Sequence, residues 1–219
     1  MSELNKIALK ILSNGKGILA ADESTSTMTK RLDAVNVISD ENNRLLFRQT
    51  LFSSSSMKEC IGGVILYDET IRQKTSTGET IPQLINSTGS LTGIKVDTGA
   101  KILAGSRKEK ITEGLDGLRE RLKDYYNLGA RFTKWRGVYF ISEKYPSNLS
   151  ISANAHALAR YAALVQEAGM VPIIEPEVLM DGNHSSKDCL KKTSEVIRKC
   201  YEELELNNVD LKGTILKPN

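Results

Sequence analysis

At 219 residues, 40% hydrophobic and 26% charged, the chain has the composition of a soluble globular enzyme and is long enough for one substantial core, as one domain or two small ones. Its net charge of +3 is built from interspersed signs and lacks the clustered basic footprint of a nucleic-acid binder, so neither nucleic acid nor an anionic membrane is the expected partner. The start, MSELNKIALKILSNGKG, has no uninterrupted apolar run or small-residue cleavage site, and no segment reaches membrane-spanning length, which makes the cytoplasm the expected location.

Short β-branched runs bounded by Gly or polar residues read as strands: GILAADE (17–23), IGGVILYDE (61–69), TGIKVDTG (92–99), RFTKWRGVYF (131–140), MVPIIEPEVL (170–179) and GTILKPN (213–219). Helical patterns lie between them. RLLFRQTLF (44–52) and GLDGLRERLKDYYNLG (114–129) space their apolar residues by three and four, with charges expected on the opposite face. SANAHALARYAALVQEAG (152–169) is rich in good helix formers and ends at a glycine suited to a C-terminal cap, and SSKDCLKKTSEVIRKCYEELEL (185–206) opens on a serine suited to an N-cap. Cys60, Cys189 and Cys200 show no CxxC spacing and are expected to be buried, reduced thiols.

Strands alternating with helices predict parallel βαβ units. Charges inside the strands separate a barrel from an open sheet, whose central strands should be almost wholly apolar. Lys134 and Arg136 stand two apart in one strand, and Glu175 and Glu177 in another, so each pair projects to one face. Asp22, Lys95 and Lys217 add a charge at three further strand ends. Each lysine alone reads as a solvated strand-end charge; repetition over several strands points instead to a ring of charge at the C-terminal end of a barrel, where barrel enzymes place catalysis. Three acids against four bases balance once one base is neutral. Desolvation and a nearby cation both favour the free amine of a lysine, which can attack a ketone. Lys217 is the candidate nucleophile and Lys134 the nearby cation.

GILAADEST, GIKVDTG, FTKWRGV, PIIEPEVL and GTILKPN resemble, in order and spacing, the signatures of class I fructose-1,6-bisphosphate aldolases, across essentially the whole chain. The resemblance implies a (β/α)8 TIM barrel of which the first six βα units are present, as a single domain over 1–219 that is incomplete at its C-terminus and inactive by itself. It implies reversible cleavage of fructose 1,6-bisphosphate, as in glycolysis and gluconeogenesis, with Lys217 as the Schiff-base lysine and Asp22 as the acid handling the hydroxyl proton. Lys134 and Arg136 are implied as active-site cations, Glu175 as the acid–base group of imine formation, and Glu177 as the group orienting the lysines. Lys95, with Ser24, Thr27 and Arg31 in a loop, is implied to bind a phosphate; the family's usual residue at the position of Thr27 is serine. The implied partners are a sugar phosphate and, for the full-length protein, three further copies in a homotetramer. No metal or other cofactor is implied, and two histidines, His156 in a helical run and His184 in a loop, fall short of the usual zinc site of metal-dependent aldolases. A non-catalytic scaffold of the same descent, or a Schiff-base aldolase for another phosphorylated sugar, is the alternative.

Overall fold

The computed structural model describes residues 1–218; Asn219, the last residue of the GTILKPN run, lies outside them. In chain order the elements are helix α1 (Glu3–Leu12), strand β1 (Gly17–Ala21), helices α2 (Thr25–Asp33), α3 (Glu41–Phe52) and α4 (Met57–Cys60), strand β2 (Ile61–Leu66), and helices α5 (Asp68–Ile71) and α6 (Ile81–Ser87). Then come strands β3 (Leu91–Lys95), β4 (Gly99–Ile102) and β5 (Lys110–Glu113), helix α7 (Leu118–Asn127), strand β6 (Phe132–Tyr139), helix α8 (Asn148–Glu167), strand β7 (Val171–Val178), helix α9 (Ser186–Leu206) and strand β8 (Ile215–Leu216). The six-stranded sheet has the order β1-β2-β3-β6-β7-β8, and β4 pairs with β5 in a separate antiparallel ribbon. The chain is thus an α/β protein; the pairs β1–β2, β2–β3 and β7–β8 are parallel.

The chain divides into two compact units, one of residues Leu9–Lys95 with Asp124–Thr133, the other of Met1–Ala8, Val96–Lys123 and the chain from Lys134 on. In the first unit, Ala21 pairs with Leu66 and Leu66 with Ile94, so β1 ends one residue short of the end of β3. Five of the six residues of β2 are buried, as expected for a parallel strand covered on both faces. Two glycines here are obligatory. A Cβ on Gly62 would stand 1.8 Å from the Ile11 carbonyl oxygen, and one on Gly93 would stand 2.3 Å from the ring of Phe132.

In the second unit Trp135 and Tyr161 pack with ring centroids 5.4 Å apart, and the Tyr161 hydroxyl donates to the Ile173 carbonyl at 3.2 Å. Ser147 caps α8 through the Ser150 N–H, and Gly169, at φ 76°, follows its last turn as expected for a left-handed helix terminus. Ser185 caps α9 in a reciprocal box with Asp188. β8 continues the ladder past its last residue, the Lys217 N–H donating to the Ile174 carbonyl at 2.8 Å.

Three expectations need correction. Helix α3 is turned round: Arg44, Arg48 and Phe52 face inward, while Leu46, Phe47 and Leu51 are exposed. The physical reason is a pair of acids, Glu23 and Glu69, that the arginines meet inside. The run 92–99 is not one strand, since β3 stops at Lys95 and Gly99 begins the β4–β5 hairpin. Of the cysteines only Cys200 is buried; Cys60 is exposed and Cys189 half-buried.

Burial pushes the Cys200 thiol up from the usual 9.0 to about 12. At about pH 8, iodoacetamide is therefore expected to label Cys60 in the folded protein and spare Cys200 until unfolding; mass spectrometry showing both labelled at one rate would refute this. The native state keeps the Cys200 proton over a window in which the unfolded chain loses it. This contribution to stability is complete below about pH 9 and declines as pH rises toward about 12.

Candidate active site

Strand alternation places Lys134 and Arg136 on one face of β6, and Glu175 and Glu177 on one face of the neighbouring β7. The pairs then meet across the strands. Lys134 Nζ stands 3.1 Å from Glu175 Oε2, an ion pair by distance whose alignment falls short of a hydrogen bond. The Arg136 guanidinium engages Glu177 through both Nε and Nη2. Because Ile174 pairs with Leu216, Lys217 emerges from β8 beside Glu175 and donates from Nζ to Glu175 Oε1.

Glu175 therefore has one oxygen toward each of two lysines. It is 2% exposed, and a carboxylate so buried is tolerable only when its charge is answered. Lys134 is buried, whereas the Lys217 side chain is 42% exposed. Such a group can hold a lysine amine in place and exchange a proton with it, which is what condensation with a carbonyl compound requires.

In the other unit, Asp22 is the first residue after β1 and Lys95 the last of β3, and each follows directly on the row Ala21–Leu66–Ile94, which puts both at the same height of the sheet. Ser24 is the N-cap of α2 and accepts from the Thr27 N–H at 3.4 Å. Its hydroxyl also meets those of Ser26 at 3.0 Å and Thr27 at 3.1 Å. Arg31, two turns on, pairs with Glu23. Only Ser24 of this trio lies in the loop; Thr27 and Arg31 belong to the helix.

A sequence model of the family described as Fructose-bisphosphate aldolase class-I matches residues 3–219. The chain belongs to this family. Among class I aldolases, the probable fructose-bisphosphate aldolase class 1 of Xanthomonas campestris is 50% identical over 217 residues, covering 99% of this chain and 65% of that protein. Fructose-bisphosphate aldolase C-B of Danio rerio is 51% identical over 218 residues, covering 99% and 60%. A solved structure of fructose-bisphosphate aldolase from Plasmodium falciparum, in complex with TRAP and a small-molecule inhibitor, superposes with a TM-score of 0.97 at 44% identity, covering 99% of this chain and 63% of that one. The chain thus spans 60–65% of the length of the curated aldolases it matches.

Within this class I aldolase chain, the carboxylate lying between the lysines is Glu175, while Glu177, implied from the resemblance to orient them, is engaged by Arg136. Sequence reading passed over Glu23, Arg44, Arg48 and Glu69, which form a charged cluster behind Asp22. The available signal was two arginines four apart on one helix, which must share a face. His156 pairs with Glu203 at 3.0 Å on the outer surface and His184 lies in a loop. Among the described residues, no three His, Cys, Asp or Glu side chains are grouped to hold a metal ion, and no helix is long and apolar enough to cross a membrane.

Proposed function

We propose that this protein catalyses reversible aldol cleavage of fructose 1,6-bisphosphate through an imine on Lys217. The observation that carries the reading is the buried Glu175 carboxylate shared by Lys134 and Lys217 on neighbouring strands of a class I aldolase chain. Lys217 Nζ attacks the ketone carbon, Glu175 delivers the proton that lets water leave, and a protonated imine results. Asp22 takes the hydroxyl proton at the fourth carbon, that oxygen becomes an aldehyde, and the bond between the third and fourth carbons breaks. Its electron pair moves toward the imine nitrogen to form an enamine, and glyceraldehyde 3-phosphate departs. Protonation and hydrolysis then return dihydroxyacetone phosphate and the free amine.

Lys134 supplies the neighbouring positive charge, and Arg136, held by Glu177, faces the anionic substrate. Lys95, Ser24, Thr27 and Arg31 bind a phosphate, the first two turns of α2 offering hydroxyls and a guanidinium. The same reading makes residues 1–219 part of a single eight-stranded barrel domain, working as a cytoplasmic homotetramer without a metal.

Borohydride added to the intact protein with dihydroxyacetone phosphate should inactivate it and leave the reduced adduct on the peptide containing Lys217, with EDTA making no difference. An adduct on another lysine, or EDTA-sensitive activity that zinc restores, would overturn the reading.

A further inference from the structure

Arg48 has no accessible surface, a position arginine occupies only when its charge is answered. Its Nη2 donates to the main-chain oxygen of Glu23 at 2.6 Å, and its Nη1 to Thr70 Oγ1 at 2.8 Å. The carboxylates of Glu23 and Glu69 lie 3.9 and 3.6 Å from the same two nitrogens. Around this centre, Arg31 pairs with Glu23, and Arg44 holds Glu69 from Nε at 2.9 Å and from Nη2. Burial disfavours the Arg48 charge, while Glu23, Glu69 and Asp22 all favour it; Arg44 opposes it, and Arg44 in turn holds the Glu69 carboxyl below the usual range.

An apolar side chain of similar volume would fill this space without the cost of burying a charge. What it could not supply is the planar fork that grips a carbonyl and a hydroxyl at once. The carbonyl gripped is that of the residue directly after Asp22. On its other side, Asp22 follows Ala21, whose place in the ladder is fixed by pairing with Leu66. Asp22 is therefore clamped on both flanks, by the sheet before it and by Arg48 after it.

We infer that Arg48 is a positioning residue for the proton-accepting Asp22: its fork, anchored on Thr70, fixes the Glu23 carbonyl and so the direction in which the Asp22 carboxylate leaves β1. This rests on the aldol-cleavage reading above. Lys217 has a different support, the carboxylate of Glu175, so loss of the fork separates two steps of one reaction. Cleavage suffers; imine formation does not.

The test compares Arg48→Lys, which keeps the charge and loses the fork, with Thr70→Val, which keeps every charge and removes only the anchor. In Arg48→Lys, kcat for fructose 1,6-bisphosphate should fall about 100-fold, the loss expected for a group displaced by about 1 Å. KM and the rate of borohydride trapping with dihydroxyacetone phosphate should stay within about twofold, since neither uses Asp22. Thr70→Val should reproduce the same split with a loss of about tenfold. The inference is overturned if both variants cleave within about twofold of the parent, or if trapping falls in step with cleavage. Should Arg48→Lys fail to fold, Thr70→Val alone decides by the same criteria. No trapping in the parent protein would overturn the aldolase reading itself and this inference with it.

Discussion

Lys217→Met is expected to lower cleavage of fructose 1,6-bisphosphate by a factor on the order of 10⁶, comparable to the loss when a covalent nucleophile is removed from an enzyme. Fold stability should scarcely change. The side chain is 42% exposed, so methionine leaves no stranded charge and no large cavity at position 217. Glu175 keeps its partner Lys134 at 3.1 Å. The decisive measurement is turnover alongside thermal unfolding. An enzyme retaining a tenth of its activity, as about a tenfold loss would leave, would place the imine on a different lysine, and Lys134 would be the first to examine.

Glu175→Gln should damage both activity and stability. Loss of the carboxyl proposed above as acid–base group is expected to cost about 10²–10⁴ in kcat. The stability change comes from the cations left behind. Lys134 is buried and would face a neutral amide at one of its contacts, and removing one member of a buried pair costs up to about 3–5 kcal/mol. Lys217 adds little because water reaches it. The double variant Glu175→Gln/Lys134→Met removes both charges and should be more stable than Glu175→Gln alone, as denaturant midpoints would show. If the two substitutions simply added, the pair would have no energetic coupling and Glu175 would be held by something else.

Strand periodicity made one part of this site legible from the chain alone. Residues two apart in a strand share a face, so Lys134 with Arg136 and Glu175 with Glu177 were bound to line up. Their cross-strand partnering depends on register, which no single strand encodes. Register is what sets Glu175 between the two lysines and Glu177 against Arg136. Helix α3 misled for a related reason. Its apolar residues suggested an inward stripe, yet Glu23 and Glu69, which draw Arg44 and Arg48 inside, lie 21 to 25 positions away from the arginines they meet at the closest. The β4–β5 hairpin did carry a local signal, since Gly105 and Ser106 interrupt two short alternating runs, and Gly105 adopts a φ of 85°.

The seat of Phe132 on Gly93 constrains how this sequence can change over time. A side chain at 93 would strike the ring at 2.3 Å, so no larger residue is tolerated while phenylalanine occupies position 132. Shrinking Phe132 first would empty a fully buried site, at about 3–5 kcal/mol. Either single step thus costs a large fraction of the stability of an ordinary domain, about 5–15 kcal/mol. Only a simultaneous exchange keeps the volume filled. Gly93 lies two residues before Lys95, so this lock also shields the end of that strand from drifting by single substitutions.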